Sequence, residues 1–323
     1  MNAKERNSLS GVSRILVLIV ALLACTANQP AMAQLPSAFG DYTVQVIEPP
    51  DPNTIYVNFT WVNEAGMVVM QYYTPEGGGQ GHTGVLEDGT WKDIDIPGSA
   101  WCGGSIPSAD GRVGLTFARA DGVWHTAVYH RGTYQYLPDH PQYQYGINYI
   151  SDYGLMSGVA FLPGGPYPGV LLNASLSVFQ IFDPPGSVST MPMGINNAGL
   201  VVGSYWKLKV PDDPNAGHDT RGFLYDGDKT FTDIVLPVPD AGTTIPEGIN
   251  ESGEIVGLYG ASWWGETGGR GFILRNGEFK DFTIPDSSWT SVDCVTHNLQ
   301  LSGSYADKDG KPHGYIATPK VRH

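Results

Sequence analysis

The apolar positions of this chain fall in short runs, each cut off by glycine, proline, asparagine or aspartate. Gly194-Ile195-Asn196-Asn197-Ala198-Gly199 leads into Leu200-Val201-Val202-Gly203-Ser204-Tyr205, and Gly222-Phe223-Leu224-Tyr225-Asp226-Gly227 follows. Runs rich in β-branched and aromatic residues, bounded by turn formers, predict short strands. Asn-x-x-Gly predicts a tight turn between two of them: the asparagine side chain accepts from the turn backbone and the glycine takes the positive φ. The Asp-Gly step predicts a second hairpin, leading to an aromatic and β-branched strand, Phe231 onward, that is stopped by proline.

The pattern repeats. Gly248-Ile249-Asn250-Glu251-Ser252-Gly253 matches the first block, and Trp61-Val62-Asn63-Glu64-Ala65-Gly66 is a further copy. Weaker copies begin at Ile106, Tyr149 and Cys294. The turn glycines are Gly66, Gly111, Gly154, Gly199 and Gly253, with Leu299 in the sixth place, at spacings of 45, 43, 45, 54 and 46. Four short antiparallel strands in a repeat of this length make one propeller blade. The sixth copy ends after its third strand, Gly314 to Ala317. An orphan strand, Val44-Gln45-Val46-Ile47-Glu48-Pro49, stands before the first copy and matches Phe179-Gln180-Ile181-Phe182-Asp183-Pro184. The sequence therefore predicts an all-β, six-bladed propeller, closed by the N-terminal strand completing the last blade. Such closure leaves no open ring edge.

The block Gly-Ile-Asn-x-x-Gly-x-Val-Val-Gly-x-Tyr, followed by Gly-Phe-Leu, resembles the bacterial extracellular repeats of the HAF family. The resemblance is good over 194–237 and 248–285 and partial elsewhere, with Ile106-Pro107-Ser108 the largest departure. It implies an exported propeller-like domain and brings no activity or catalytic residue with it.

The N-terminus adds an address. Lys4, Arg6 and Arg14 precede an apolar run from Ile15 to Ala24, and Ala31-Met32-Ala33 forms a small-x-small site. This predicts a signal peptide over 1–33 and a single propeller domain over 34–323. Leu22-Leu23-Ala24-Cys25 is a competing lipobox, which would put a lipid anchor on Cys25. Either reading places the protein outside the cytoplasm, secreted, periplasmic or on the cell surface. No later stretch is long and apolar enough to span a bilayer. The net charge of −14 argues against nucleic acid as a partner. With 42 glycines and 24 prolines spread along the chain, the composition fits many turns rather than disordered tails. Export permits a disulfide between Cys102 and Cys294, and two buried free thiols fit the sequence equally well.

Candidate chemistry follows from the predicted topology. Loops between second and third strands share one face with the loops between blades. Those loops carry Trp124, Trp206, Trp263 and Trp264, then Trp101, Trp289 and Tyr143. Flat aromatic faces suit carbohydrate stacking, and each ring also reads as ordinary packing. The residue before the Gly-Ile-Asn block is Thr60, Ser105, Asn148, Met193, Glu247 and Asp293 in the six copies. Glu247 and Asp293, on neighbouring inner strands, are the candidate acid/base pair; the simpler reading is two separately solvated acids. Calcium is a candidate ligand at Asp307-Lys308-Asp309-Gly310 and at Asp212, Asp213 and Asp219, although the first lacks the downstream glutamate of a full calcium loop. His82, His125 and His313 occupy the repeat position that holds Arg221 and Arg270 elsewhere, so no metal motif is assigned and no cofactor is expected. No nucleophile elbow, phosphate loop or dinucleotide fingerprint is present. The expected function is non-enzymatic: a binding or scaffold propeller recognising glycan or protein through its aromatic loops. A polysaccharide hydrolase or lyase using Glu247 and Asp293 is the alternative, and a purely structural extracellular module is the third reading.

Overall fold

The computed structural model describes residues 38–76, 79–210, 213, 217–239, 241–260 and 268–320. The expected signal peptide, Cys25, Asp212, Trp263 and Trp264 lie outside the described residues. Five four-stranded antiparallel sheets follow one another along the chain, over 56–93, 101–136, 144–182, 187–234 and 244–282. The sixth contains Leu301–Ala306 and Pro312–Pro319, with an inner strand in two pieces, Trp289–Thr290 and Cys294–Val295. Its outermost strand is Tyr42–Ile47, antiparallel to Pro312–Pro319 from Tyr42 opposite Pro319 to Ile47 opposite Gly314. The six-bladed propeller and its closure by the N-terminal strand stand as the sequence predicts.

The turn glycines do the work expected of them. Gly66, Gly111, Gly154, Gly199 and Gly253 have φ between 80° and 86°, and Leu299 is held at 63°. These hairpins lie at the lower end of each blade. The loops between second and third strands, and those between blades, lie at the upper end.

Packing runs between blades. Leu171 and Phe182 of the third blade share a cluster with Phe223 and Tyr225 of the fourth. Val256 and Phe282 of the fifth pack with Leu301 and Tyr315 of the sixth. The largest cluster joins Trp61, Ile106, Met193 and Cys294 from four different blades, with Tyr149 of the third packed against it. The axis of the ring is therefore filled. At its lower end a depression lined by Asn63, Ile106, Tyr149, Asn250 and Thr296 encloses about 40 Å³, room for one water.

A second repeated device stiffens the outer part of the blades. In five of the six blades a histidine or arginine near the start of the third strand meets an acid at the end of the fourth. The pairs are His82–Asp95 at 2.7 Å, His125–Asp139 at 3.0 Å, Arg221–Asp233 at 3.6 Å, Arg270–Asp281 at 2.7 Å and His313–Glu48 at 3.2 Å. An aromatic ring of the second strand stacks on each histidine: Tyr72 on His82, Phe117 on His125 and Tyr305 on His313. Cys102 and Cys294 are free and buried. Burial pushes both thiols up, that of Cys294 to about 12.

Candidate functional site

Two features occupy the upper half of the ring: a layer of inner-strand polar residues, and an aromatic layer above it. The polar layer follows from local backbone geometry. Ladder pairing skips Asn148, Met193 and Glu247 in the third, fourth and fifth blades, so each is the extra residue of a β-bulge. A bulge re-aims its side chain away from the alternation of a regular strand. In the sixth blade the inner strand breaks over residues 291–293, the stretch that carries Asp293. Gly194 and Gly248 follow two of these positions. A Cβ on Gly194 would lie 3.1 Å from the backbone nitrogen of Ile249, and one on Gly248 would lie 3.2 Å from the carbonyl oxygen of Asp293. Glycine there lets the next blade's inner strand close in.

The result is a set of contacts from blade to blade. The Asn148 side-chain amide donates to the Pro192 carbonyl at 2.7 Å. Glu247 and Asp293 hydrogen-bond each other through their carboxyl groups. The backbone N–H of Thr60 in the first blade donates to Asp293 Oδ2 at 2.8 Å, and Ser304 Oγ donates to the same oxygen at 3.1 Å. Ser291 Oγ donates to Asp293 Oδ1. The two acids thus converge, and they are sealed: Glu247 is 1 % exposed and Asp293 0 %. Burial raises the Asp293 carboxyl to about 6, while the hydrogen bonds from Glu247, Ser291, Thr60 and Ser304 hold it from going higher. A hydrogen bond between two carboxyl groups needs one proton between them, so below about pH 6, where Asp293 titrates, the pair holds a proton at the junction of the fifth, sixth and first blades.

Above this junction the rings form a chain. Trp289 of the sixth blade meets Tyr56 of the first at 6.2 Å, edge to face, and Tyr56 meets Tyr73 at 6.0 Å. Trp101 of the second blade lies beside the Tyr73 hydroxyl. Trp101 meets Trp124 at 5.1 Å, Trp124 meets Phe161 of the third blade at 6.2 Å, and Phe161 meets Tyr167 at 6.2 Å. This arc spans four blades of one face. Trp289 is buried; the other six rings are half-buried. Trp101 lies across Gly81 and Gly103, where any Cβ would collide with its indole. Tyr56 Oη and Trp289 Nε1 are buried with no hydrogen-bond partner among the described residues. Burial pushes the Tyr56 hydroxyl up, and the neighbouring Tyr73, Asp293 and Glu247 add to the effect.

Of the residues singled out in the sequence, the arc gathers Trp101, Trp124 and Trp289. Trp206 stands apart on the fourth blade, stacked on His218 at 4.6 Å. Tyr143 is buried and stacks on His140 at 3.8 Å. Sequence reasoning did not single out Tyr56, Phe161 or Tyr167. Phe161 and Tyr167 flank the loop between second and third strands of their blade, and that position was the available signal. Among the described residues no group of three or more histidine, cysteine or acidic side chains is placed to hold a metal ion. Asp307 instead closes its own turn, accepting from the N–H groups of Asp309 at 2.9 Å and Lys311 at 2.8 Å. These bonds hold its carboxyl below the usual range. Asp219 lies 3.8 Å from Lys209. No helix among the described residues is long and apolar enough to cross a membrane.

No family model and no curated protein matches the chain. Solved structures do. The β-propeller domain of the Trilobed protease from Pyrococcus furiosus, described as having an open velcro topology, superposes with a TM-score of 0.52 at 11% identity. The match covers 83% of this chain and 98% of that one. The SapL1 lectin in complex with alpha methyl fucoside gives 0.52 at 8% identity, covering 83% and 96%. A lectin from Aleuria aurantia gives 0.49 at 10% identity, covering 84% and 99%. At such identities the likeness to the first two is one of fold: the chain shares its architecture with a protease propeller and with a lectin, and architecture does not decide between their activities.

Proposed function

We propose that this chain is an exported propeller of the HAF type that binds glycan through the aromatic arc on its upper face and carries out no chemistry on it. The observation that supports this reading is the continuous run of rings from Tyr56 to Tyr167, partly exposed and held by packing against one another. Rings fixed in this way offer stacking area to the C–H faces of sugars at little entropic cost. Glu247 and Asp293 are assigned to ring closure, because side chains only 1 % and 0 % exposed are shielded from a bound polymer.

The test is retention in native gels cast with a panel of polysaccharides. Trp124→Ala breaks the arc in its middle and is expected to lower affinity ~10-fold or more, the scale of one well-used aromatic contact. Trp206→Ala, on the far side of the ring, is expected to leave retention unchanged. Unfolding midpoints of both variants separate lost binding from lost folding. Undiminished retention of a folded Trp124→Ala protein would remove the arc as the site.

A further inference from the structure

The loops around the arc carry an excess of acids. Those at 48–55, 75–79, 94–100, 119–123 and 137–143 contain Glu48, Asp51, Glu76, Asp95, Asp121 and Asp139. Arg119 is the only lysine or arginine in these five, while the matching loop of the sixth blade, 307–311, sets Lys308 and Lys311 beside Asp307 and Asp309, with Lys311 3.2 Å from Glu48. Glu48, Asp95 and Asp139 are engaged by His313, His82 and His125. Asp51, Glu76 and Asp121 have no ion pair among the described residues, and Glu76 and Asp121 are exposed. The loop that joins Phe161 to Tyr167, residues 162–168, has no charged residue at all.

Aromatic faces and carboxylates together are what a cation needs. The ring quadrupole attracts an ammonium group over its face, and a neighbouring carboxylate supplies the counter-charge. The net charge of −14 adds a field that draws cationic polymers and repels uronates and sulfated chains. We infer that the arc selects an amine-bearing sugar chain, a polymer of unacetylated hexosamine, over neutral and acidic glycans. Sugar rings lie along the aromatic surface, and their ammonium groups face Glu76 and Asp121 at its rim. This inference rests on the glycan-binding reading above and narrows it.

Isothermal titration of the purified protein with four probes tests it: hexamers of glucosamine, N-acetylglucosamine, glucose and galacturonate, at a pH that keeps the amines charged. Glucosamine hexamer is expected to bind ~10-fold tighter than its acetylated counterpart, a difference of about 1.4 kcal/mol. That advantage is expected to shrink with added salt, as interactions between exposed charges do. It is also expected to shrink to about twofold in Glu76→Gln with Asp121→Asn, which alters two exposed loop positions and leaves the rings in place. Equal or tighter binding of a neutral or acidic hexamer would overturn the amine selection and leave the glycan reading standing. No binding of any hexamer would overturn both.

Discussion

At the scale of single residues, the asparagine that opens each inner turn explains why the block Gly-Ile-Asn is repeated. Its Oδ1 accepts two backbone N–H groups of its own turn. In the fourth blade these are Ala198 at 3.1 Å and Leu200 at 3.0 Å from Asn196. Its Nδ2 then donates across to the next blade: Asn63 to the Ser108 carbonyl at 2.7 Å, Asn196 to Asn250 at 3.2 Å and Asn250 to Thr296 at 3.1 Å. Ser108, Ser151 and Thr296 fill the same place in weaker copies. Their hydroxyls accept from the turn, at 3.0, 3.1 and 3.0 Å, with no amide to reach across. The first role was legible in the sequence, because turn chemistry is local. The second was not, because it needs the neighbouring blade in place. The sixth turn also contains the one exception to glycine. Leu299 sits at φ 63°, a region that costs a residue with a Cβ ~1–2 kcal/mol. Leu299→Gly relieves that cost and loses some unfolded-state restriction and side-chain contact in return. A net gain of up to ~1 kcal/mol is expected, raising the thermal midpoint by about 2–4 °C. A calorimetric midpoint at or below the parent's would show that the leucine's packing outweighs its strain.

At the scale of the blade, the sequence carried the strand order and the hairpins, because each is fixed by residues close in the chain. It also placed three histidines at the position held by arginines elsewhere. The structure gives the reason: each cation faces the acid that ends the fourth strand. What the repeat hid was convergence. Glu247 and Asp293 are 46 residues apart, and nothing in that spacing tells whether bulged side chains meet. The aromatic content of the upper loops was visible too, but not which rings would touch. Trp124 reaches Phe161 only across a blade boundary, whereas Trp206 turns to His218 within its own blade. One consequence of the paired histidines belongs at this scale. The hydrogen bond to Asp95 raises the His82 imidazole above its ordinary value, against burial. A folded value above the unfolded ~6.5 means that the stabilisation is full below that pH and is lost as pH rises through the folded value. His82→Gln is therefore expected to unfold at lower denaturant than the parent at mildly acid pH, with the gap closing as pH rises past neutrality. Urea midpoints across that range measure it. A gap that stays constant would mean that the imidazole contributes by shape and stacking on Tyr72 alone.

At the scale of the whole ring, closure depends on joining the last blade to the first, and three of the contacts that do so are hydrogen-bonded through the N-terminal strand, the lower turn and the buried acids. The strand Tyr42–Ile47 completes the last blade. The Glu64 carboxylate accepts the N–H of His297 at the lower end. Asp293 accepts the N–H of Thr60 at the centre and shares a hydrogen bond with Glu247. The last of these depends on pH. Around the pair stand Tyr56 and Tyr315, whose hydroxyls burial and the two acids together push up, and the Cys294 thiol, raised by burial with Asp293 and Glu64 adding to it. These neighbours are neutral near pH 7, so ionising both acids leaves two buried charges close together. The folded Asp293 carboxyl titrates at about 6, above the ordinary 3.8. The sign follows from that order: stability is full below the unfolded value and falls as pH rises through about 6. Asp293→Asn removes the titration. Its amide oxygen can still accept from Thr60, and its NH₂ can donate to Glu247 in place of the shared proton. The parent's thermal midpoint is expected to fall between pH 5 and pH 7, by roughly 2–4 °C for each kcal/mol lost, and the asparagine variant's profile to be flatter. If the two profiles ran parallel across that window, the proton would not reside on this pair, and the pH dependence of ring closure would have to come from another group.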